Sequence, residues 1–376
     1  MKHSNLFEPI ALVPGLVLRN RIAMAPMTTW AANDDGTVSN QEEEYYRLRV
    51  KDVGLVITGC THVQENGIGF TGEFAAYDDR FIPSLKKLAT AAKSGGAPAI
   101  LQIFHAGGKT LPALVSDMVA ASAIESLASP AVPAVRPRAL ADQEIVDVIA
   151  AFGDATRRAI AAGFDGIELH GAHAFLIQNF FSPYSNRRED RWGGSLENRM
   201  RFPLAVVAAV KQAIAEHAVS PFALGYRISV EESVEGGLQL ADSLQLIDRL
   251  MEAGVTYIHA SLGSALDQKP DTEKSDMSIV GILHEHIANR VPLIAAGRIK
   301  TPEQASQALE KGLSLAAVGQ GLVINPDWAA LARANRDGEI QNAISADEAP
   351  DVGIPPKLWA AIESAPGWFD IKPKAK

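Results

Sequence analysis

A single cysteine, Cys60, is all the thiol chemistry that this 376-residue chain possesses. That excludes an internal disulfide, a cysteine-held iron–sulfur cluster and a multi-cysteine zinc site. Positive charge is also scarce: 35 lysines and arginines against 44 aspartates and glutamates leave a formal net charge of −9, with no basic cluster to offset it. A nucleic-acid surface is therefore not expected. No apolar run approaches the length of a membrane span, and the opening MKHSNLFEPI lacks the apolar core of a secretion signal. The expectation is a soluble, cytoplasmic protein with no membrane or nucleic-acid partner. What is present, 47% hydrophobic and 21% charged residues, is the balance of a globular chain with a sizeable core.

Short β-like runs recur along the chain, most of them followed by an amphipathic stretch. The strand candidates are 22–28, 54–59, 99–104, 166–170, 222–228, 257–261, 292–296 and 315–319, with helical periodicity over 142–162, 196–217, 242–253 and 302–311. TPEQ, from Thr301 to Gln304, reads as a helix start, while Lys311–Gly312 and Ala253–Gly254 read as helix ends. Alternation of this kind implies parallel strands with crossover helices, and about eight units favour a closed (β/α)8 TIM barrel. Ahead of them, ALVPGLVLRN reads as an N-terminal hairpin turning at Pro14–Gly15, placed to plug the bottom of the barrel. Two connections, 107–141 after the third strand and 171–195 after the fourth, are too long for plain loops; the first holds the proline-rich SPAVPAVRPRAL. Residues 1–335 are assigned to the barrel and 336–376 to a tail that packs on it or on a neighbouring subunit, which leaves a homo-oligomer open.

The strand ends carry an unusual set of side chains: Thr28, Gln102, His170, His173 and Arg227, then the pairs Gly297–Arg298 and Gly319–Gln320. The two glycine pairs follow the seventh and eighth strands, where barrels often hold a phosphate on backbone N–H groups, although glycine after a strand commonly does no more than permit a turn. His170 and His173 admit three readings. A metal site lacks further ligands, the shared face with Glu168 notwithstanding. Two histidines satisfying loop hydrogen bonds is the plain alternative. The third is a clamp in which two imidazole N–H groups polarise an oxygen of the bound molecule. A buried Arg227 needs an anionic or strongly accepting partner, and spacing alone favours Glu231 or Glu232. Gln102 offers both donor and acceptor, the pattern that reads an amide–imide edge. His105, His259, His284 and His286 show no such convergence, and Glu42–Glu44 reads as a solvated helix face.

The stretch HGAHAFLIQNFFSPYSNRREDRWGGSLENRMRF, with APMT and LQIFHAGG upstream and YRIS downstream, resembles the Old Yellow Enzyme family, in particular its bacterial NADH-dependent flavin oxidoreductase branch. The resemblance runs in order from about Leu6 to Trp328. It implies a barrel with FMN at its C-terminal mouth and NADH or NADPH as reductant. Pro26, Met27 and Thr28 would lie beside the flavin, Cys60 would meet it through the backbone, and Gln102 and Arg227 would face its pyrimidine edge. Gly297, Arg298, Gly319 and Gln320 would hold the phosphate. His170 and His173 match the catalytic pair that grips the acceptor's oxygen, with Trp30 bordering the pocket. Hydride would pass from the nicotinamide to flavin and then to an activated alkene, a quinone or a nitro compound by a ping-pong scheme.

Three positions depart from the family pattern. Phe175 stands where tyrosine usually donates a proton to the substrate carbon, Gln320 where arginine is common, and Gly108 where arginine is frequent. The first bears on alkene reduction, because phenylalanine has no proton to give. Two rival readings follow from the residues alone: a flavin-free, phosphate-binding lyase or aldolase, and a non-catalytic binding barrel. The former would want a Schiff-base lysine or a metal set at the strand ends, and no lysine falls in the strand candidates.

Overall fold

The computed structural model describes residues 2–125, 134–271 and 275–373, so positions 129–133 of the proline-rich run lie outside the described residues. Eight parallel strands form the centre: β1 (Ile22–Met24), β2 (Leu55–Ile57), β3 (Ala99–Phe104), β4 (Gly166–Gly171), β5 (Ala223–Ile228), β6 (Tyr257–Ser261), β7 (Leu293–Ala296) and β8 (Leu315–Val318). Each pairs with the next, and β8 pairs with β1, so the sheet closes on itself. Closure follows from the sequence rhythm, since a strand returning parallel to its neighbour needs a crossover element to carry the chain back. Those elements are α1 (Asn40–Arg49), α2 (Ile82–Ala92), α3 (Asp142–Ala162), α4 (Leu196–His217), α5 (Leu240–Glu252), α6 (Ile279–Ile287) and α7 (Pro302–Glu310). The start of α7 shows the chemistry that the sequence advertised. Thr301 accepts from the Gln304 N–H, Gln304 returns a bond to the Thr301 N–H, and Pro302 fills the first turn.

Inside the barrel, Ala23, Leu55, Ile100, Ala223, Tyr257, Ile294 and Leu315 form one apolar cluster. The N-terminal hairpin, Ile10–Val13 paired with Leu16–Leu18, adds Leu12 and Leu18 to that cluster and so seals the bottom. With one end filled, the chemistry is left to the other.

The loops at the mouth are fixed by hydrogen bonds. Arg188 donates to the carbonyls of Ala121 and Leu140, tying the long loop after β4 to the one after β3. Asn186 bridges the Phe180 and Trp192 carbonyls, and the Trp192 indole N–H donates to Asp142 at the start of α3. The longest sequence signature of this chain is thus largely scaffolding: its arginines and asparagine satisfy the backbone of a loop too irregular to satisfy itself.

One expectation fails here. Glu42 is not on a solvated face: it is fully buried with Tyr45, Tyr46 and Arg49, positions that share one side of α1. The polar composition of that helix conceals an inward face tied to its surroundings by hydrogen bonds. Thr29 donates to Glu42, the Gly59 N–H donates to the Tyr46 hydroxyl, and Arg49 donates to the carbonyls of Tyr45, Val323 and Val352. Val352 belongs to the segment after the barrel, which also meets it through the Lys300–Asp370 ion pair.

Candidate active site

The end of β4 delivers His170 to the mouth, and the chain then turns through His173 and Ala174, both at positive φ (59° and 58°). Trp30 (55°) and Arg298 (51°) share that left-handed backbone. Four of the seven non-glycine residues of this kind among the described residues therefore ring the mouth, where strain is characteristic of a working site. The His170 and His173 rings lie 4.9 Å apart at 71°, and the Phe175 ring stands 4.8 Å from His170, backed by Phe104. Phe70 continues that wall to Trp30, and Trp30 meets Trp368 of the tail edge-on at 6.2 Å. Phe70 is itself held in place: a Glu73 oxygen accepts the N–H groups of Gly69 and Phe70, while its other oxygen lies 2.7 Å from Nδ1 of His62.

Both imidazoles of the pair are neutral. Burial, then the neighbouring His173 and Arg227, hold His170 well below its ordinary pKa. His173 faces the opening, but enclosure by the loops and the Arg227 charge lower it as well. A neutral imidazole has one N–H, and here the neighbours choose which nitrogen carries it. The Ala172 N–H donates to Nδ1 of His170, so the proton sits on Nε2. Ser261 stands 2.7 Å from Nε2 of His173 and accepts from Arg227; with its own proton turned to Nε2, the His173 proton is left on Nδ1. Among the described residues the two rings are thus set by backbone and hydroxyl neighbours rather than by a carboxylate. Among the described residues no group of His, Cys, Asp and Glu is placed to hold a metal ion.

Arg227 lies next to His170 in register and is buried. Among the described residues its one partner by hydrogen bond is Ser261 at 3.0 Å, and Nε has none. The carboxylates favoured by spacing have other partners: Glu232 accepts from Gln178, Ser182 and the Leu238 N–H, and Glu231 accepts the Asp271 N–H. Gln102 is buried on β3, accepting from the Cys60 thiol at 3.4 Å and donating to Glu168 at 2.7 Å. Burial pushes that thiol up to about 12, so it is a proton donor and wall rather than a nucleophile. Beside Arg227, the fully buried His259 donates Nδ1–H to Glu168 at 2.9 Å, while its Nε2 has no partner. His259 was passed over in the sequence, although YIHAS places Tyr257, His259 and Ser261 on one face by simple alternation. That alternation was the available signal.

Gly297 and Arg298 follow β7, Gly319 and Gln320 follow β8, and all four are open to solvent to some degree. The Gln320 side-chain amide donates to the Trp368 carbonyl, which ties the tail to this corner. Pro26 is buried; Met27 and Thr28 are half-buried beside the corner, and a side chain at Gly319 would meet the Met27 sulfur at 3.3 Å.

Residues 5–339 match the sequence model of the NADH:flavin oxidoreductase / NADH oxidase family. The chain belongs to that family. It is an FMN-dependent oxidoreductase that draws on a reduced nicotinamide, and membership excludes the flavin-free and non-catalytic readings. A probable NADH-dependent flavin oxidoreductase, YqiG, of Bacillus subtilis is 40% identical over 373 residues, covering 99% of both chains. An NADH:fumarate oxidoreductase of Klebsiella pneumoniae is 39% identical over 95% of this chain, which spans 39% of that longer protein. Morphinone reductase, solved with tetrahydroNAD, superimposes with a TM-score of 0.74 at 28% identity, over 88% of this chain and 91% of its own. The old yellow enzyme homologue of Zymomonas mobilis, 23% identical, shares the fold with a TM-score of 0.78 over 94% of this chain and 98% of that one.

The mouth of this flavin oxidoreductase fits its cofactor on physical grounds. A buried guanidinium with an unmet donor, and a buried imidazole nitrogen with an unmet acceptor, call for a ligand edge that carries both kinds of group. A flavin pyrimidine is such an edge, and it gains negative charge on reduction, which the buried cation of Arg227 suits.

Proposed function

We propose that this enzyme reduces alkenes conjugated to a carbonyl, and accepts quinones and nitro compounds at the same place. The observation that carries the reading is the pair of neutral imidazoles set together at the mouth beside the buried cation of Arg227. Gln102 and Arg227 would hold the flavin's pyrimidine edge, and Pro26, Met27 and Thr28 would flank it, with Cys60 behind. The backbone of Gly297, Arg298, Gly319 and Gln320 would take the phosphate, and the Arg298 side chain would add charge. FMN, when bound, supplies the two-electron carrier between nicotinamide and acceptor.

His170 and His173 bind the acceptor's oxygen through Nε2–H and Nδ1–H and draw electrons from the conjugated carbon. Phe175 closes the wall without offering a proton, so the proton needed at the α-carbon of an alkene comes from water or from another residue. A quinone places both incoming charges on oxygens and needs no carbon protonation. The wall therefore favours quinones among the possible acceptors. Fumarate and acrylate are named for relatives of this chain, and both are activated alkenes.

Purified protein loaded with FMN and mixed anaerobically with NADH should bleach, and the bleached enzyme should recolour with an enone or a quinone. His170→Ala and His173→Ala should retain the bleaching and slow the recolouring. If both variants recolour at the normal rate, the clamp assignment is wrong; if the protein retains no FMN, the flavin placement is wrong.

A further inference from the structure

The strongest unexplained feature lies one layer beneath the mouth. Glu168 is fully buried inside the barrel, yet it stands on the same strand face as His170. Register aligns Gln102 of β3 with Glu168 of β4, Glu168 with Gly225 of β5, and Gly225 with Tyr257 of β6. One carboxylate oxygen accepts from the Gln102 amide at 2.7 Å; the other accepts from the Tyr257 hydroxyl at 3.0 Å and His259 Nδ1 at 2.9 Å. Glycine at 225 is what permits this, since a Cβ there would lie 2.0 Å from the Tyr257 ring. The tyrosine crosses an empty position to reach the carboxylate.

Such a charge is an expensive way to fill a barrel, because burying a carboxylate costs several kcal/mol before its partners repay it. Burial opposes the charge here too, but His259, Arg227 and the Gln102 bond together hold the group below the ordinary carboxylate range. His259 itself stays neutral, its burial outweighing the attraction of Glu168. The ionised form accepts hydrogen bonds and donates none. An amide is nearly symmetric in shape, so the identity of its partner decides which end faces which way. Facing Glu168, Gln102 must present Nε2 inward and Oε1 toward Cys60 and the mouth.

We infer that Glu168 is a positioning and charge-setting residue: it fixes the orientation of Gln102 and opposes Arg227, and so lowers the reduction potential of the bound flavin. The inference rests on the flavin placement proposed above. A fixed negative charge beneath a group that becomes more negative on reduction disfavours the reduced form, whereas the cation of Arg227 favours it. Together the pair places the cofactor between two opposed fields, where the potential suits hydride donation to an acceptor rather than retention.

The test is a redox titration of the FMN-loaded enzyme with two variants. Glu168→Gln removes the charge and keeps the shape; it should shift the oxidised–reduced equilibrium about tenfold toward reduced flavin, roughly 30 mV for a two-electron couple. Glu168→Asp keeps the charge but loses the reach to Gln102; it should weaken FMN binding several-fold without raising the potential. An unchanged potential in Glu168→Gln overturns the inference. Should that variant fail to fold, infrared difference spectra of wild-type enzyme carrying 13C-glutamate take its place. A labelled carboxylate band that moves on flavin reduction supports the inference, and no movement overturns it. Arg227→Gln separates the two readings: if it leaves FMN affinity and potential unaltered, the flavin placement itself fails, whereas a lowered potential there with a silent Glu168→Gln removes only the role of Glu168.

Discussion

The Ser261 hydroxyl stands 2.7 Å from Nε2 of His173 and accepts from Arg227 at 3.0 Å, so one small side chain joins the acceptor clamp to the buried cation. Ser261→Ala should free His173 to take either tautomer, and the acceptor should bind more weakly while FMN stays bound. A neutral hydrogen bond of about 1 kcal/mol corresponds to roughly a fivefold rise in the acceptor KM. Steady-state kinetics with an enone, beside FMN fluorescence, would show it; an unchanged KM would mean that Ser261 does not set the tautomer.

Phe175→Tyr tests the missing proton donor. The new hydroxyl would sit on a ring 4.8 Å from His170 and should raise turnover with enones more than with quinones, because only the former need a proton on carbon. The ratio of the two turnovers is the readout. A ratio that does not move sinks the argument.

Glu42 predicts a pH dependence of stability. Burial raises its carboxyl from 4.5 to about 7, so between those values the native state holds a proton that the unfolded chain has released. Stability from this group is full below about 4.5 and is lost as pH rises toward 7, then levels. Glu42→Gln removes the slope and should be more stable than wild type at pH 8, by up to about 3 kcal/mol, with the difference vanishing near pH 4.5. Urea unfolding at a series of pH values checks this, and parallel curves for the two proteins would contradict it.

The tail offers a fourth test. Trp368 meets Trp30 edge-on and its carbonyl accepts from Gln320, next to the corner assigned to the phosphate. An aromatic pair contributes about 1 kcal/mol beyond its buried area, so Trp368→Ala should release FMN roughly fivefold more readily. Dilution of the holoenzyme with fluorescence detection measures that directly.

Much of the scaffold could be read along the chain. All eight strands fall inside or beside the expected runs, and α3 and α4 have the expected bounds. The reason is local: burial on both faces of a parallel strand forces a short apolar run, and helix ends need particular residues to satisfy their backbone. His170, Arg227 and Gln102 were legible for the same reason, since each ends or interrupts an apolar run where a polar group is conspicuous. Phe175 was legible only as a departure from a family pattern. Glu42 was misread because the run around it is polar on every side, and only packing reveals which face of α1 turns inward. His259 and Ser261 were missed because neither means anything until β5 and β6 lie in register.

The sequence by itself determined the barrel, the loops that carry its chemistry, the family and the imidazole pair, because these depend on residue type and spacing within one segment. Tertiary structure alone decided that Nδ1 of His170 accepts a backbone N–H, that Ser261 hydrogen-bonds Arg227, and that Gln102, Glu168, Tyr257 and His259 form one network. Those outcomes depend on distances between segments as much as 91 residues apart, as with Glu168 and His259. A hydrogen bond reaches about 3 Å, and no pattern within a single strand specifies that meeting.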